Sequence, residues 1–514
     1  MTNAQKDSLF ILIKSLSKSE KRQFKLYVNR LGVNADAKFL ALFNLLDKMK
    51  DYSEKEILKS GIVKKQQLSN LKAHLYKQVL VSLRLNPVNQ NIRIQIREQL
   101  DFATILYHKG LYRQSLKILE KAKQFAIENE EKNIAFEIVE FEKIIETQYI
   151  TRSISGRADE LSVQAKELSI QNVIASRLSN LSLQLYGILL KSGYVKSDEE
   201  HQRIAEYFNS RLPHYRLEDL GFREKLWLYK AYLWYSFLTQ DFLSSFKYAS
   251  KLTDLFHENE QMIYMNPVYY LKSNNYLLEA LFMLKYGTQF KAVLHRLEEV
   301  IASGPFPKNE NVASLSFLYI YINKLNLHFM EGSFEEGLML VDEILSQLKV
   351  HKDTIDEHHV MVFYYKIACM YFGNGDNRMC IAYLKKIIDN KNLTMREDLM
   401  CFSRVLSLVA HYEAGMDYHL DVQLKSTYKF LLKMNDLHEV QKEMIRFLRN
   451  LGNIYPHELK GEFRKLHARF KELDNDPYER RAFLYLDIIS WLESKIENKS
   501  VAEIIREKSR ALIR

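Results

Sequence analysis

The chain has 514 residues, 47% of them apolar, and a formal net charge of +10. That length exceeds one ordinary compact domain and fits about three domains or an elongated repeat array, while the apolar content supplies a core and argues against intrinsic disorder. Only 16 glycines and 7 prolines are present, too few for short strands, which need turn residues about every 8–12 positions; an all-β fold is excluded, and an α/β fold with Gly-rich connections is disfavoured.

The first 100 residues hold 19 Lys and Arg against 8 Asp and Glu, leaving 55 basic and 56 acidic residues in the rest of the chain. The whole positive excess therefore lies in the first fifth. Such asymmetry points to nucleic acid or an acidic protein surface as partner, or to a solvated basic face with no ligand.

Residues 1–86 read as a basic helical domain, with helices at 4–15, 18–31, 37–49 and 64–85 and a short helical turn at 54–60. Ser17 precedes Glu20, and Ser53 precedes Glu56, at capping-box spacing; Ser197 with Glu200 and Ser500 with Glu503 repeat it later. The segment from Glu54 through Gly61-Ile62-Val63 into the helix from Lys64 has the outline of a helix-turn-helix. Leu68, Leu71, Leu75 and Val79 make one apolar face. Lys64, Lys65, Gln66, Ser69, Asn70 and Lys77 lie on the open side, the type of surface that meets phosphates and base edges. Two positions depart from the motif: Ile57 stands where it wants a small residue, and Gln67 where it wants an apolar one.

Pro87 ends the long helix, because the residue before a proline avoids the α region. Beyond residue 90 a short pattern recurs: a turn, then an aromatic or polar residue, a small or apolar residue three on, and apolar residues four and three further. Its copies are Gly110-Leu111-Tyr112 with Ser115, Leu119 and Ala122; Asp241-Phe242 with Ser245, Ala249 and Leu252; Phe290 with Val293, Leu297 and Val300; Gly332-Ser333-Phe334 with Gly337, Val341 and Ile344; Gly375-Asp376-Asn377 with Cys380, Leu384 and Ile387; and Gly415-Met416-Asp417 with Leu420, Leu424 and Thr427. The turn residues at 290, 334, 377 and 417 are 40–44 residues apart, a period typical of stacked helix pairs. Each pair is too apolar to stand alone and hides its faces against its neighbours.

The Gly-x-Tyr turn with Ser115, Leu119 and Ala122 resembles the tetratricopeptide (TPR) helix-turn-helix repeat over roughly residues 91–440. The period is longer than the family's. The small residue in mid-helix is present as Ala103 and Ala368, but is replaced by Leu233, Leu281, Leu325 and Leu408. Residues 150–225 do not phase with the rest. The resemblance implies an all-α fold: a right-handed superhelix of antiparallel helix pairs (a TPR-like solenoid), preceded by the small helical N-terminal domain and capped by helices in 441–514. It also implies that the second, fifth, ninth and twelfth positions of each first helix line the concave face. These are Trp227, Lys230, Trp234 and Phe237; Asn275, Leu278, Phe282 and Lys285; Tyr319, Ile322, Asn326 and Phe329; and Val362, Tyr365, Cys369 and Phe372. Rings and amides on such a wall suit an extended or helical peptide, although long helices also hide rings of this kind in the core. The family's carboxylate-clamp pairing of Lys and Asn is not matched, since Trp234 follows Lys230 one turn on.

No nucleotide cradle, His-Glu-x-x-His or Cys-x-x-Cys motif occurs, and no cofactor or metal is expected. Asp356-Glu357-His358-His359 with His351 is the densest ligand-type cluster and reads as an inter-helix loop. Gly373-Asn374-Gly375-Asp376 reads as a turn, not a phosphate loop. Cys369, Cys380 and Cys401 are too few for a disulfide framework, which implies a reducing compartment. The apolar run Leu9–Ile13 ends at Lys14 and is too short for an export signal, and no stretch approaches the roughly 18 uncharged apolar residues of a membrane span. The sequence thus leads to a non-catalytic, cytoplasmic protein- or peptide-binding scaffold. The alternative is a DNA-binding regulator with the basic domain as its reader and the repeats as sensor.

Overall fold

Five helices open the chain in the computed structural model: α1 (Ser8–Ser15), α2 (Lys18–Arg30), α3 (Asp36–Lys48), α4 (Glu54–Lys59) and α5 (Lys65–Arg84). The structure describes residues 7–30, 36–86, 91–148, 156–390, 397–431, 439–450, 455, 457–480, 483 and 487–512, without the side chains of 36–37, 397–398, 417–421 and 512. The proline boundary at 87–89 and the first residues of the expected helix 4–15 lie outside them. Ser17 and Glu20 form the full capping box, with Glu20 N donating to Ser17 Oγ (3.2 Å) and Ser17 N to Glu20 Oε2 (2.8 Å). Leu9, Ile13, Phe24, Phe43, Leu68, Leu75 and Val79 bury one another in a core confined to these helices.

The remainder is helical too, with no strand among the described residues. The order continues α6 (Ile92–His108), α7 (Tyr112–Glu128), α8 (Lys132–Gln148), α9 (Arg157–Ser192), α10 (Asp198–Arg211), α11 (Phe222–Leu238), α12 (Phe242–Glu258), α13 (Gln261–Met265), α14 (Pro267–Met283), α15 (Gly287–Ala302) and α16 (Glu310–Glu331). Then come α17 (Phe334–Leu338), α18 (Val341–Val350), α19 (Glu357–Gly373), α20 (Asn377–Ile388), α21 (Glu397–Glu413), α22 (Asp417–Leu431), α23 (Glu439–Asn450), α24 (Leu459–Asp474), α25 (Ile488–Glu497) and α26 (Val501–Leu512). Packing divides the chain into two compact units, residues 1–169 and 170–514.

The six helix pairs of the recurring pattern share one turn, which also occurs at Glu130 between α7 and α8 and at Asn498 between α25 and α26. Gly110, Gln240, Lys285, Gly332, Gly375 and Gly415 all adopt left-handed φ, between 58° and 83°. In each pair the next amide donates back into the first helix: Leu111 to Leu106, Asp241 to Ser236, Tyr286 to Leu281, Ser333 to His328, Asp376 to Tyr371 and Met416 to His411, at 2.9–3.0 Å. This is the Schellman closure, which satisfies the orphan carbonyls of a helix end. The expected repeat turns at 110, 241, 332, 375 and 415 are thereby found. The third copy is corrected: its left-handed residue is Lys285, so Phe290 is not the turn aromatic but the residue three beyond Gly287. Phe290, Leu294 and Leu297 are buried where Ser115, Leu119 and Ala122 are, while Val293 and Val300 stay partly exposed. Between residues 240 and 415 the left-handed residues recur every 40–47 positions.

Within each pair the core follows the pattern. Ala103, Leu233, Leu281, Leu325, Ala368 and Leu408 are all 0–1% exposed. In the first pair Ser115 Oγ donates to the carbonyl of Ala103 at 2.8 Å, a close approach that a bulkier pair would not allow. The second helix of the fourth copy is interrupted: α17 stops at Leu338, and Val341 and Ile344 belong to α18. The side chain of Leu420, in the sixth copy, lies outside the described residues. In the span that sequence does not phase, residues 157–192 form one helix. Its start buries Leu161, Ala165 and Leu168 in the core of the first unit, and Leu178, Leu181 and Leu185 are buried further along. Among the described residues it is the one helix long and apolar enough to cross a membrane, by length and composition alone. Arg177 breaks its apolar run, so its uncharged stretches, 168–176 and 178–190, stay short of the roughly 18 residues that the sequence criterion requires.

The C-terminal residues, expected to cap the array, pack on α21 through Trp491, whose Nε1 donates to Glu413 Oε1 (2.8 Å). They also reach far back along the second unit. Tyr478 Oη donates to Asp198 Oδ1 (2.6 Å), Arg480 donates to the carbonyl of Gln240 and lies 4.1 Å from the Phe242 ring centroid, and Arg506 Nε donates to the carbonyl of Gly332 (3.1 Å).

Candidate functional site

Successive first helices α11, α14, α16 and α19 of the second unit place half-exposed rings and lysines side by side. On α11, Trp227 and Lys230 are one turn apart, and Lys230 Nζ lies 4.8 Å from the Trp227 ring centroid and 5.6 Å from that of Tyr269 on α14. Trp227 and Tyr269 meet edge to face at 5.7 Å. Burial, with the charge of Lys272 added to it, pushes the Lys230 ammonium down to about 8. One turn further along α11, Trp234 contacts Tyr186 of α9 (4.8 Å) and Tyr276 of α14 (5.6 Å). Burial raises the Tyr276 phenol strongly, and that of Tyr319 on α16 to about 12, so both remain neutral donors at any ordinary pH.

The amides expected on this wall are partly spent on each other. Asn323 Nδ2 donates to Asn275 Oδ1 (2.9 Å) and to the Tyr319 carbonyl (2.7 Å), and Asn326 Nδ2 donates to Asn323 Oδ1 (3.2 Å). Asn326 and Tyr365 are buried, which assigns them to helix packing rather than to an open wall. Lys285 is a correction: it stands beyond the end of α14, exposed in the left-handed turn. The three-residue shift of this copy removes Lys285 from the face and brings Lys272 and Glu279 onto it beside Asn275 and Phe282. Of the other expected positions, Leu278, Phe237, Cys369 and Phe372 are buried, while Ile322, Phe329 and Val362 keep partial exposure. On α19 the half-exposed lysine is Lys366, 5.2 Å from the Phe282 ring centroid, its pKa lowered by burial.

Sequence reasoning did not find Tyr186, Tyr269, Lys272, Tyr276 or Lys366. Tyr186 falls in the unphased span. Lys272 was accessible through the turn alignment, had the left-handed residue been assigned to Lys285, but nothing in its composition marks a lysine as a turn.

On the N-terminal helices, Lys64, Lys65, Gln66, Ser69, Asn70 and Lys77 are all exposed, while Leu68, Leu75 and Val79 are buried and Leu71 is half-buried. Gly61 takes the left-handed turn between α4 and α5 at φ 71°. The two departures from the helix-turn-helix pattern are structural facts: Ile57 fills the core at 0% exposure, and Gln67 faces solvent. In the same unit a cleft of about 870 Å³ is lined by Arg84, Arg93, Arg97, Tyr107, His108 and Phe141, among others. Its arginines are already engaged, Arg84 with Asp101 (2.8 Å), Arg93 with Glu131 (3.1 Å) and Arg97 with Glu137 (3.5 Å).

The histidine-rich loop does not converge. His351 Nδ1 lies 3.1 Å from Ser314 Oγ, whereas His359 Nδ1 pairs with Asp356 Oδ2 at 2.6 Å, and no cluster of metal-ligating side chains occurs among the described residues. Gly375 and Asp376 form the α19–α20 turn, with Asp376 capping α20 by accepting from Met379 N (3.0 Å). Burial pushes the Cys369 thiol up to about 12 and that of Cys380 well above its usual value, which disfavours the nucleophilic thiolate. No protein-family model matches the chain, and no curated protein or solved structure shows significant similarity to it.

Proposed function

We propose that the chain is a non-catalytic scaffold of the TPR-like kind, working in the reducing cytoplasm, whose stacked helix pairs wind as a right-handed superhelix. Its first-helix face in residues 180–370 holds a segment of a partner protein. The observation that carries this reading is the set Trp227 with Tyr269, and Trp234 with Tyr186 and Tyr276, followed by Tyr319, contributed by four different helices and left partly open. Large rings that keep one face accessible supply contact area at small entropic cost and are the usual anchors of interfaces. The test is positional. A photoreactive residue at Trp234 or Tyr319 should cross-link to a discrete partner in extract, whereas the same group at the exposed Met339 or Val350 should not. Equal labelling from all four positions would end the reading.

A second reading, a DNA-binding regulator, draws on one observation: Lys64, which caps α5, and the five polar residues named on that helix are all solvent-facing, and no acidic side chain pairs with Lys64, Lys65 or Lys77 among the described residues. Such a surface suits phosphate contact.

A further inference from the structure

We propose that Lys230 and Lys272 form an anion subsite that anchors a glutamate or aspartate side chain of an acidic peptide lying along the aromatic face; this rests on the peptide-binding reading above. Lys230 Nζ lies 5.6 Å from the Tyr269 ring centroid, and Lys272 stands one turn beyond Tyr269 on the same helix; both lysines are half-buried. No carboxylate pairs with either among the described residues, and the electrostatic influences on Lys230 are burial and the other lysine. Like charges held together at reduced solvation repel. Here the π faces of Trp227 and Tyr269 compensate one of them only in part. A carboxylate between the two ammonium groups removes the repulsion and gains charge-assisted hydrogen bonds to both.

The surroundings select the source of that carboxylate. The subsite lies mid-helix, where backbone amides are already used in the helices, and it contains no arginine, so it lacks the fork and the amide nest that favour phosphate. The adjoining surface is aromatic: Trp234, Tyr276, Tyr186 and Tyr319 continue from it. The ligand chemistry that fits both parts is a peptide with acidic residues interleaved with aromatic or aliphatic ones. Lysine at both positions also explains why the site differs from the Lys–Asn pairing that the sequence lacks.

The test uses the full chain and two degenerate 12-residue peptide pools: an acidic pool mixing Glu and Asp with Tyr, Phe and Leu, and a neutral pool with Gln and Asn in place of the acids. Acetylation of each lysine by an activated ester is followed by mass spectrometry, alongside tryptophan emission. The acidic pool should slow labelling of Lys230 about tenfold, an effect of about 1.4 kcal/mol in binding, and the neutral pool less than about twofold. Protection should fade with added salt. Lys272→Met should reduce the protection while the aromatic emission response persists. Protection confined to lysines of residues 1–86, equal protection of Lys230 by both pools, or protection of Lys230 by millimolar inorganic phosphate but not by the acidic pool would each overturn the subsite while leaving the peptide face standing. No change in either Lys230 labelling or tryptophan emission with either pool would remove both.

Discussion

The ring of Phe334 lies directly over the Cα of Gly373: a Cβ on that glycine would sit 2.4 Å from Phe334 Cε1 and Cζ. Phe334 opens the second helix of one pair and Gly373 ends the first helix of the next, so this contact sets how closely neighbouring pairs approach. Gly373→Ala should destabilise the protein by about 1–3 kcal/mol through overpacking. Combining it with Phe334→Leu should recover part of that loss, the signature of coupled residues. Denaturant unfolding of the two single variants and the double variant measures the coupling; additive effects would refute it.

Lys285 and Gln240 occupy the left-handed turn position that glycine fills in the other four pairs. Residues with a Cβ are strained there by about 1–2 kcal/mol. Lys285→Gly should therefore raise stability by roughly 0.5–1 kcal/mol. Gln240→Gly should not, because Gln240 Nε2 donates to the buried carbonyl of Val195 at 2.9 Å and that bond would be lost. Unfolding midpoints of the two variants should move in opposite directions or, for Gln240→Gly, stay unchanged.

Lys123 is 3% exposed and bonds Glu142 at 2.8 Å, with Arg157 3.4 Å from the same carboxylate group. Lys123→Met leaves a buried carboxylate short of a partner and should cost about 3–5 kcal/mol. Replacing both residues, Lys123→Met with Glu142→Leu, should cost much less, as seen by thermal unfolding.

His257 and His328 are held neutral mainly by burial, which lowers both pKa values below the ordinary 6.5. The unfolded chain then binds more protons than the folded one below pH 6.5, so stability is complete above that pH and declines as pH falls toward the folded values. Between pH 7.5 and 5.5 the wild type should lose stability, and His257→Gln and His328→Gln should each flatten that slope. An unchanged slope in both variants would contradict the assignment.

If the basic helix α5 contacts DNA, the full chain should bind duplex DNA with affinity that falls steeply with salt, and Lys64→Gln/Lys65→Gln/Lys77→Gln should lower the salt slope by about three phosphate contacts. No binding at low salt would leave α5 as a solvated face.

The sequence by itself determined the helical content and five of the six repeat turns. Those rest on local physics: apolar residues three and four apart, serine–glutamate caps, and, at four of the turns, glycine where φ must be positive. Only the tertiary structure located the sixth turn, because Lys285 reaches the left-handed region through the closure of α14 on α15 and not through its own preference. The same holds for Asn326, drawn into an amide chain across two helices, for the approach of Lys230 to the Tyr269 ring, and for the return of Tyr478 to Asp198. Each joins residues far apart along the chain, and no local propensity encodes which distant partner a side chain meets once the helices pack.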